Sequence, residues 1–286
     1  MSMDMDLSYA PFAPYLTPRL PGMAPLAMAD WLHRDEAFAP QMAYRDELVA
    51  DRAGIVLAGE RCAGSGELLD LVCNALAEHD DGYDVRAGGV RRPDGAEIVL
   101  DRERPFATLA RLAQEDFLIL QKPLGAAEHV LIGAALLFPS RWSLAEKMNN
   151  PLVAIHERVP AYDAGLAPRV QRLFDALTPE RPLVRANWLV HPTNELHQPK
   201  QFLGDEKPHE ATGRFWLRVE RQSILRLPLS GCAVFSVKTV MTPIEALNAE
   251  ERAGLIDALS GQGDAMRDYH GGLPHTLAAI EALRGL

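Results

Sequence analysis

The sequence predicts an α+β fold built on a mainly antiparallel sheet. Three observations point there. Strand-like and helix-like segments come in separate groups rather than in strict βαβ alternation. Two long alternating runs, LRVERQSILRLP and GCAVFSVKTVM, are joined by a short turn at Leu229-Ser230-Gly231, the pattern of an antiparallel pair. HVLIGAALLFP (129–139) is apolar on both faces, as suits a strand in the middle of a covered sheet.

Taken in order, residues 1–29 carry many prolines and are expected to run extended over the surface. Residues 30–51 hold two helix-like pieces broken at Pro40. An amphipathic helix is predicted over 64–79, where Leu68, Leu69, Val72, Cys73 and Leu76 recur at helical spacing. Two short strands flank the hairpin signal Asp94-Gly95. A short helix (106–113) precedes the strands DFLILQKP and HVLIGAALLFP. A helix opens at Ser143, with Glu146 three residues on in capping-box spacing. Another spans 164–177. LVRANWLVH (183–191) reads as a strand, followed by a turn at 193–197. The polar stretch 200–213 reads as a loop long enough for a lid. Pro243 is placed at the first position of a helix, and two or three helices finish the chain. This organisation is read as a single domain over 1–286: an N-terminal extension (1–60), a core (85–243) and C-terminal helices (244–286).

The bulk numbers fit a globular protein: 286 residues, 48% hydrophobic and 24% charged. A net charge of −10 argues against nucleic acid or an anionic membrane as main partner. Cys62, Cys73 and Cys232 form no CxxC pair and read as reduced thiols. No apolar run reaches the roughly 18 residues of a membrane span. The first residues lack a basic and an apolar signal region, so the expectation is a cytoplasmic protein.

One residue breaks the pattern of the first long run. Leu217, Val219, Ser223, Leu225 and Leu227 share one parity with a single charge, Arg221. A buried charge must be paired or hydrogen-bonded. A salt bridge to a buried carboxylate, a β-bulge that turns Arg221 outward, or a ligand pocket each accounts for it. Other signals carry less. AGSGELLD lacks GxGxxG spacing and reads as the start of a helix, and GGVRRPDG is a hairpin. His129 and His156 have no partners at metal-ligand spacing. No GxSxG elbow is present, and Cys232 has no neighbouring His.

LRVERQSILRLP followed by GCAVFSVKTVMTP resembles the haem-dependent oxidative N-demethylase family. HVLIGAALLFPSRWSLAEK, RVPAYD and RANWLVHPTNELHQP match the same pattern, so that the resemblance covers roughly residues 30–245. It implies a PAS-like antiparallel sheet with helices on one side, extended by N- and C-terminal helices, and carrying haem b. It also implies oxidation of a small secondary amine such as dimethylamine with O2, and release of formaldehyde. Electrons would come from a flavin and iron–sulfur reductase subunit, and a folate-binding subunit would capture the formaldehyde.

On this resemblance the iron ligand is His197, ranked ahead of His191 because it sits on a short turn. Arg221 would then donate hydrogen bonds toward dioxygen and keep the amine neutral by like-charge repulsion. Tyr162 and Asp163 would reach the amine. Arg141, Lys147 and Arg218 would contact the haem, the first two with Trp142 near its propionates. Asn187 and Trp188 would brace the strand leading to the histidines. Glu220 lies opposite Arg221 by parity, so it is expected outside the pocket and paired with Arg218 or a neighbouring strand. A haem-based PAS-type gas or redox sensor and a haem-free binding protein are the alternative readings.

Overall fold

The computed structural model describes residues 22–160, 162, 165–199 and 213–286. Most of the expected extended N-terminal path and nearly all of the possible lid therefore lie outside the described residues. Strand β1 (Ala24–Pro25) leads to helix α1 (Phe38–Val56). Pro40 is the third residue of α1, where its missing N–H would be unpaired anyway, so it breaks nothing; the first expected piece is not helical over residues 31–37, and α1 kinks instead at Arg52. After β2 (Leu57–Ala58), Gly64 in the left-handed region (φ 82°) opens α2 (Ser65–His79). A Cβ there would stand 2.8 Å from Leu227 Cδ1, so the position demands glycine.

The short strands β3 (Asp84–Arg86), β4 (Gly89–Arg91) and β5 (Glu97–Val99) form a small sheet of their own, with the hairpin where Asp94-Gly95 predicts it. Next come α3 (Pro105–Leu109), β6 (Glu115–Gln121) and β7 (Val130–Ala135). Three helices follow: α4 (Leu144–Lys147), α5 (Leu152–Ile155) and α6 (Ala167–Asp175). The Ser143 side chain makes no cap bond. The long strands are β8 (Leu183–His191), β9 (Trp216–Arg226) and β10 (Ala233–Pro243). Pro243 precedes only a single 3-10 turn, and the capping box belongs to Asn248 and Glu251 at the start of α7 (Ala249–Ser260). The short α8 (Asp264–Tyr269) and α9 (Gly272–Arg284) end the chain. No helix among the described residues is long and apolar enough to cross a membrane.

The main sheet runs β1-β8-β9-β10-β6-β7-β2, and every neighbouring pair is antiparallel. The α+β class with a large antiparallel sheet is therefore the observed one. Helices, however, cover both faces rather than one. On one face Phe117, Ile119, Leu225 and Val234 pack with α1 and α2, and Leu217 and Val219 with α7 and α9. On the other, Leu118, Leu120, Ile224 and Ala233 pack with α4, α5 and α6. Both parities of the central strands carry apolar residues, so neither face can be left to water.

Arg221 belongs to the first of these faces. It stands beside Lys238, which in turn stands beside Glu115. Its guanidinium donates to the carbonyls of Trp31 (2.9 Å) and Asp30. Lys238 pairs with Asp35 at 2.9 Å, and Glu115 accepts from the His33 amide at 2.8 Å. The Trp31 indole, fully buried, donates to Ser236 Oγ at 2.9 Å. This row of polar groups ties residues 30–35 to the sheet, which is why a strand aims one guanidinium at an apolar face. Arg221→Ala is expected to cost about 1–3 kcal/mol by stranding the buried Trp31 carbonyl and releasing that of Asp30. Urea unfolding measures that loss, and an unchanged midpoint would refute the anchor.

Candidate active site

Between the opposite face of the sheet and α4–α6 lies a cavity of about 360 Å³, within the usual range for small-molecule sites. The parity of the strands builds its floor. Arg185, Asn187 and Leu189 come from β8, Glu220, Gln222 and Ile224 from β9, and Phe235 and Val237 from β10. The roof is apolar, with Leu152, Ile155, Val170 and Phe174.

His156 caps α5 and lines the cavity. Its Nδ1 lies 2.9 Å from the Leu152 carbonyl, one helical turn back. That bond assigns the proton to Nδ1 and leaves Nε2 with a lone pair. Burial, then the charges of Arg185 and Lys147, hold its pKa below the ordinary imidazole range against the pull of the Leu152 bond, so the ring is neutral near pH 7. The Tyr162 ring stacks on it, centroids 4.4 Å apart and planes 13° from parallel. The Tyr162 hydroxyl is buried with no hydrogen-bond partner. Burial, helped by Glu128, pushes its pKa up to about 12, so it stays a donor.

Cations share the cavity with this pair. Lys147, Arg158, Arg185 and Arg141 all line the cavity. Burial, followed by the neighbouring Arg158, lowers the Lys147 pKa, and burial lowers that of Arg185 against the pull of Glu220. Two carboxylates answer them. Asp116 is committed elsewhere: it accepts from Arg45 Nη1 (2.8 Å) and from the amides of Leu137 (2.9 Å) and Phe138 (2.8 Å). Glu220 accepts from Arg218 Nε and from Gln222 Nε2, both at 3.1 Å.

Several expectations change here. Arg221 is on the far side of the sheet and does not line the cavity, whereas Glu220, expected outside, is on its floor. Glu220 does pair with Arg218 as expected. Arg218 is fully buried and donates also to the carbonyls of Leu196 and Phe138, so it braces the end of the site rather than facing the cavity. His191 and His197 are both buried, but neither lines the cavity. His197 Nδ1 lies 2.7 Å from the Leu137 carbonyl. Arg141, Trp142, Lys147, Tyr162 and Asn187 do line it, and Trp188 packs on the other face. Asp163 lies outside the described residues.

His156, Arg158, Arg185 and Gln222 were missed. The signal was present in RANWLVH, where Arg185 and Asn187 share one face of an otherwise apolar strand. His156 was set aside for want of further ligands at metal spacing, and among the described residues no three His, Cys, Asp or Glu side chains do converge on a metal position. A porphyrin brings its own four donors and asks the protein for as little as one imidazole. An apolar slot with two neutral imidazoles, His156 with Nδ1 on the Leu152 carbonyl and His270 with Nδ1 on Gln262, an orphaned phenol and several cations is chemically suited to such a group.

Comparison with curated proteins returned no match. A family model described as haem-dependent oxidative N-demethylase, alpha subunit-like, matches residues 22–279, which takes in the whole sheet and every residue of the cavity, and the chain therefore belongs to that family.

Proposed function

We propose that the cavity holds haem b and carries out oxidative N-demethylation of a small secondary amine such as dimethylamine. The observation that carries this reading is His156: a neutral imidazole on the cavity wall, with Nδ1 fixed by a backbone carbonyl and Nε2 left to bind. It replaces His197 and His191 as the favoured ligand. Lys147 and Arg158 are suited to the propionates, since both line the cavity, Lys147 bearing on His156 and Arg158 on Lys147. The strand order supports a PAS-like reading. Counted along the chain, β6, β7, β8, β9 and β10 stand in the order 2-1-5-4-3 with α4–α6 between the second and third, as in PAS domains.

Bound haem would supply the activation of dioxygen. The chain's own residues prepare the amine. The positive charge of Arg185 and Lys147 disfavours an ammonium beside them, which keeps the amine neutral, with a lone pair that can accept a hydrogen bond. The apolar roof excludes water. The Tyr162 hydroxyl, still protonated, can donate to the amine nitrogen and so orient its methyl group. Dimethylamine, O2, two electrons and two protons give methylamine, formaldehyde and water. The electrons are proposed to come from a flavin and iron–sulfur reductase subunit, with a folate-binding subunit taking up the formaldehyde.

Haem-loaded protein, supplied with reduced flavin, O2 and dimethylamine, is expected to release equal amounts of formaldehyde and methylamine. Consumption of O2 without either product would contradict the reading.

A further inference from the structure

One end of the cavity, where β8 meets the C-terminal helices, holds hydrogen-bonding capacity that the chain does not use. His191 is 0% exposed, and neither of its ring nitrogens has a hydrogen-bond partner. It follows the cavity residue Leu189 by two along β8, so it faces the same side, one step past the lining. Ser140 lines the cavity, and its Oγ is buried with no partner. Beside it, Arg141 lines the cavity with φ 64°, a conformation non-glycine residues seldom adopt. Its Nη1 donates to the Tyr269 carbonyl at 3.1 Å, which holds the guanidinium across this end.

Buried polar groups left unmet cost stability, so this cluster asks for a ligand. The charges decide which kind. Arg141 and Arg218 both bear on His191, and burial with these cations lowers its pKa, so a metal cation would meet repulsion. Glu220, the carboxylate beside them, is already bonded to Arg218 and Gln222. Arg141, already bonded to Tyr269, sets a positive charge at this end, so the partner that Ser140 and His191 lack is an anion that accepts from a hydroxyl and an imidazole N–H beside that charge, and a carboxylate does so.

We infer that Ser140, Arg141 and His191 form a carboxylate-binding subsite of the cavity. This rests on the haem–amine reading and deepens it. The carboxylate belongs either to a porphyrin side chain or to the substrate, which would then be an N-methyl amino acid rather than a simple dialkylamine.

The test uses the full chain, haem-loaded and haem-free, with Ser140→Ala and Arg141→Gln variants whose folding is checked by thermal unfolding. Each is titrated with N-methylglycine and with dimethylamine, which share the amine and differ in the carboxylate. A loss of about tenfold in N-methylglycine affinity, with dimethylamine binding unchanged, supports a substrate carboxylate. Haem retention weakened about tenfold, but not retention of haem dimethyl ester, supports a porphyrin carboxylate. Folded variants that bind haem, its diester and both amines as the parent does overturn the proposal. A parent chain that takes up no haem overturns the haem reading alone, and N-methylglycine binding to the haem-free protein and its variants then decides the subsite. If Arg141→Gln does not fold, Ser140→Ala decides by itself.

Discussion

Replacing His156 with alanine is expected to weaken haem binding by more than about 100-fold, beyond the range seen when only a group supporting a metal ligand is lost. The reason is local. Leu152, Ile155, Val170 and Phe174 offer haem an apolar surface, but His156 is the lining imidazole whose donor nitrogen is already turned to the backbone. Its loss leaves Tyr162 without its stacking partner at 4.4 Å and leaves nothing on α5 to coordinate iron. The side chain is only partly buried and bonds to a carbonyl of its own helix, so the variant should unfold within a few degrees of the parent. Added free imidazole should restore the visible bands, because the gap left by the ring can hold it. Full haem retention by His156→Ala would remove His156 from the site.

The largest loss of stability is expected from Arg45→Ala, about 3–5 kcal/mol, the usual cost of leaving one member of a buried ion pair alone. Arg45 is 0% exposed. Its guanidinium donates to the carbonyls of Ala110 (2.8 Å), Gln114 (3.2 Å) and Glu115 (2.7 Å), and to Asp116 at 2.8 Å. Asp116 in turn holds the amides of Leu137 and Phe138, which continue into the cavity residues Pro139, Ser140 and Arg141. The damage should therefore reach the site. Denaturant unfolding and haem affinity are expected to fall together in Arg45→Ala. Replacing Arg45 and Asp116 together by Met and Leu should restore part of the stability but not the haem affinity, because the two amides lose their acceptor. A variant as stable as the parent would show that the pair contributes little.

Much of this architecture can be read from residue order. The three long strands and α2 follow from alternation and helical spacing that run long enough to be unambiguous. Where the reading fails, a local rule was overridden by packing. Pro40 looked like a break, but it falls in the first turn of α1, where proline is tolerated. On β9 the parity of Arg221 was expected to face the pocket, and Glu220, on the other parity, to lie outside it. Packing inverts this. The apolar face with Arg221 is filled by α1, α2 and the segment around Trp31, and the polar face is the floor of the cavity. Polarity on a strand marks water or a site equally well, and only the helices that cover it decide between them. Tyr162 and Lys147 were found because they stand in RVPAYD and HVLIGAALLFPSRWSLAEK, two of the stretches that carry the family resemblance. His156 was overlooked because a search for clustered metal ligands passes over a single imidazole.

The central claim is that haem sits on the Glu220 face of the sheet, under α5, and is held by His156. Haem content and absorption spectra, with and without dithionite, measured side by side for the parent and for His156→Ala, His191→Ala and His197→Ala, test it most directly. The account predicts a Soret band that shifts on reduction in the parent, His191→Ala and His197→Ala, and its loss in His156→Ala alone. Loss of the band in His197→Ala or His191→Ala, with His156→Ala fully loaded, would contradict it.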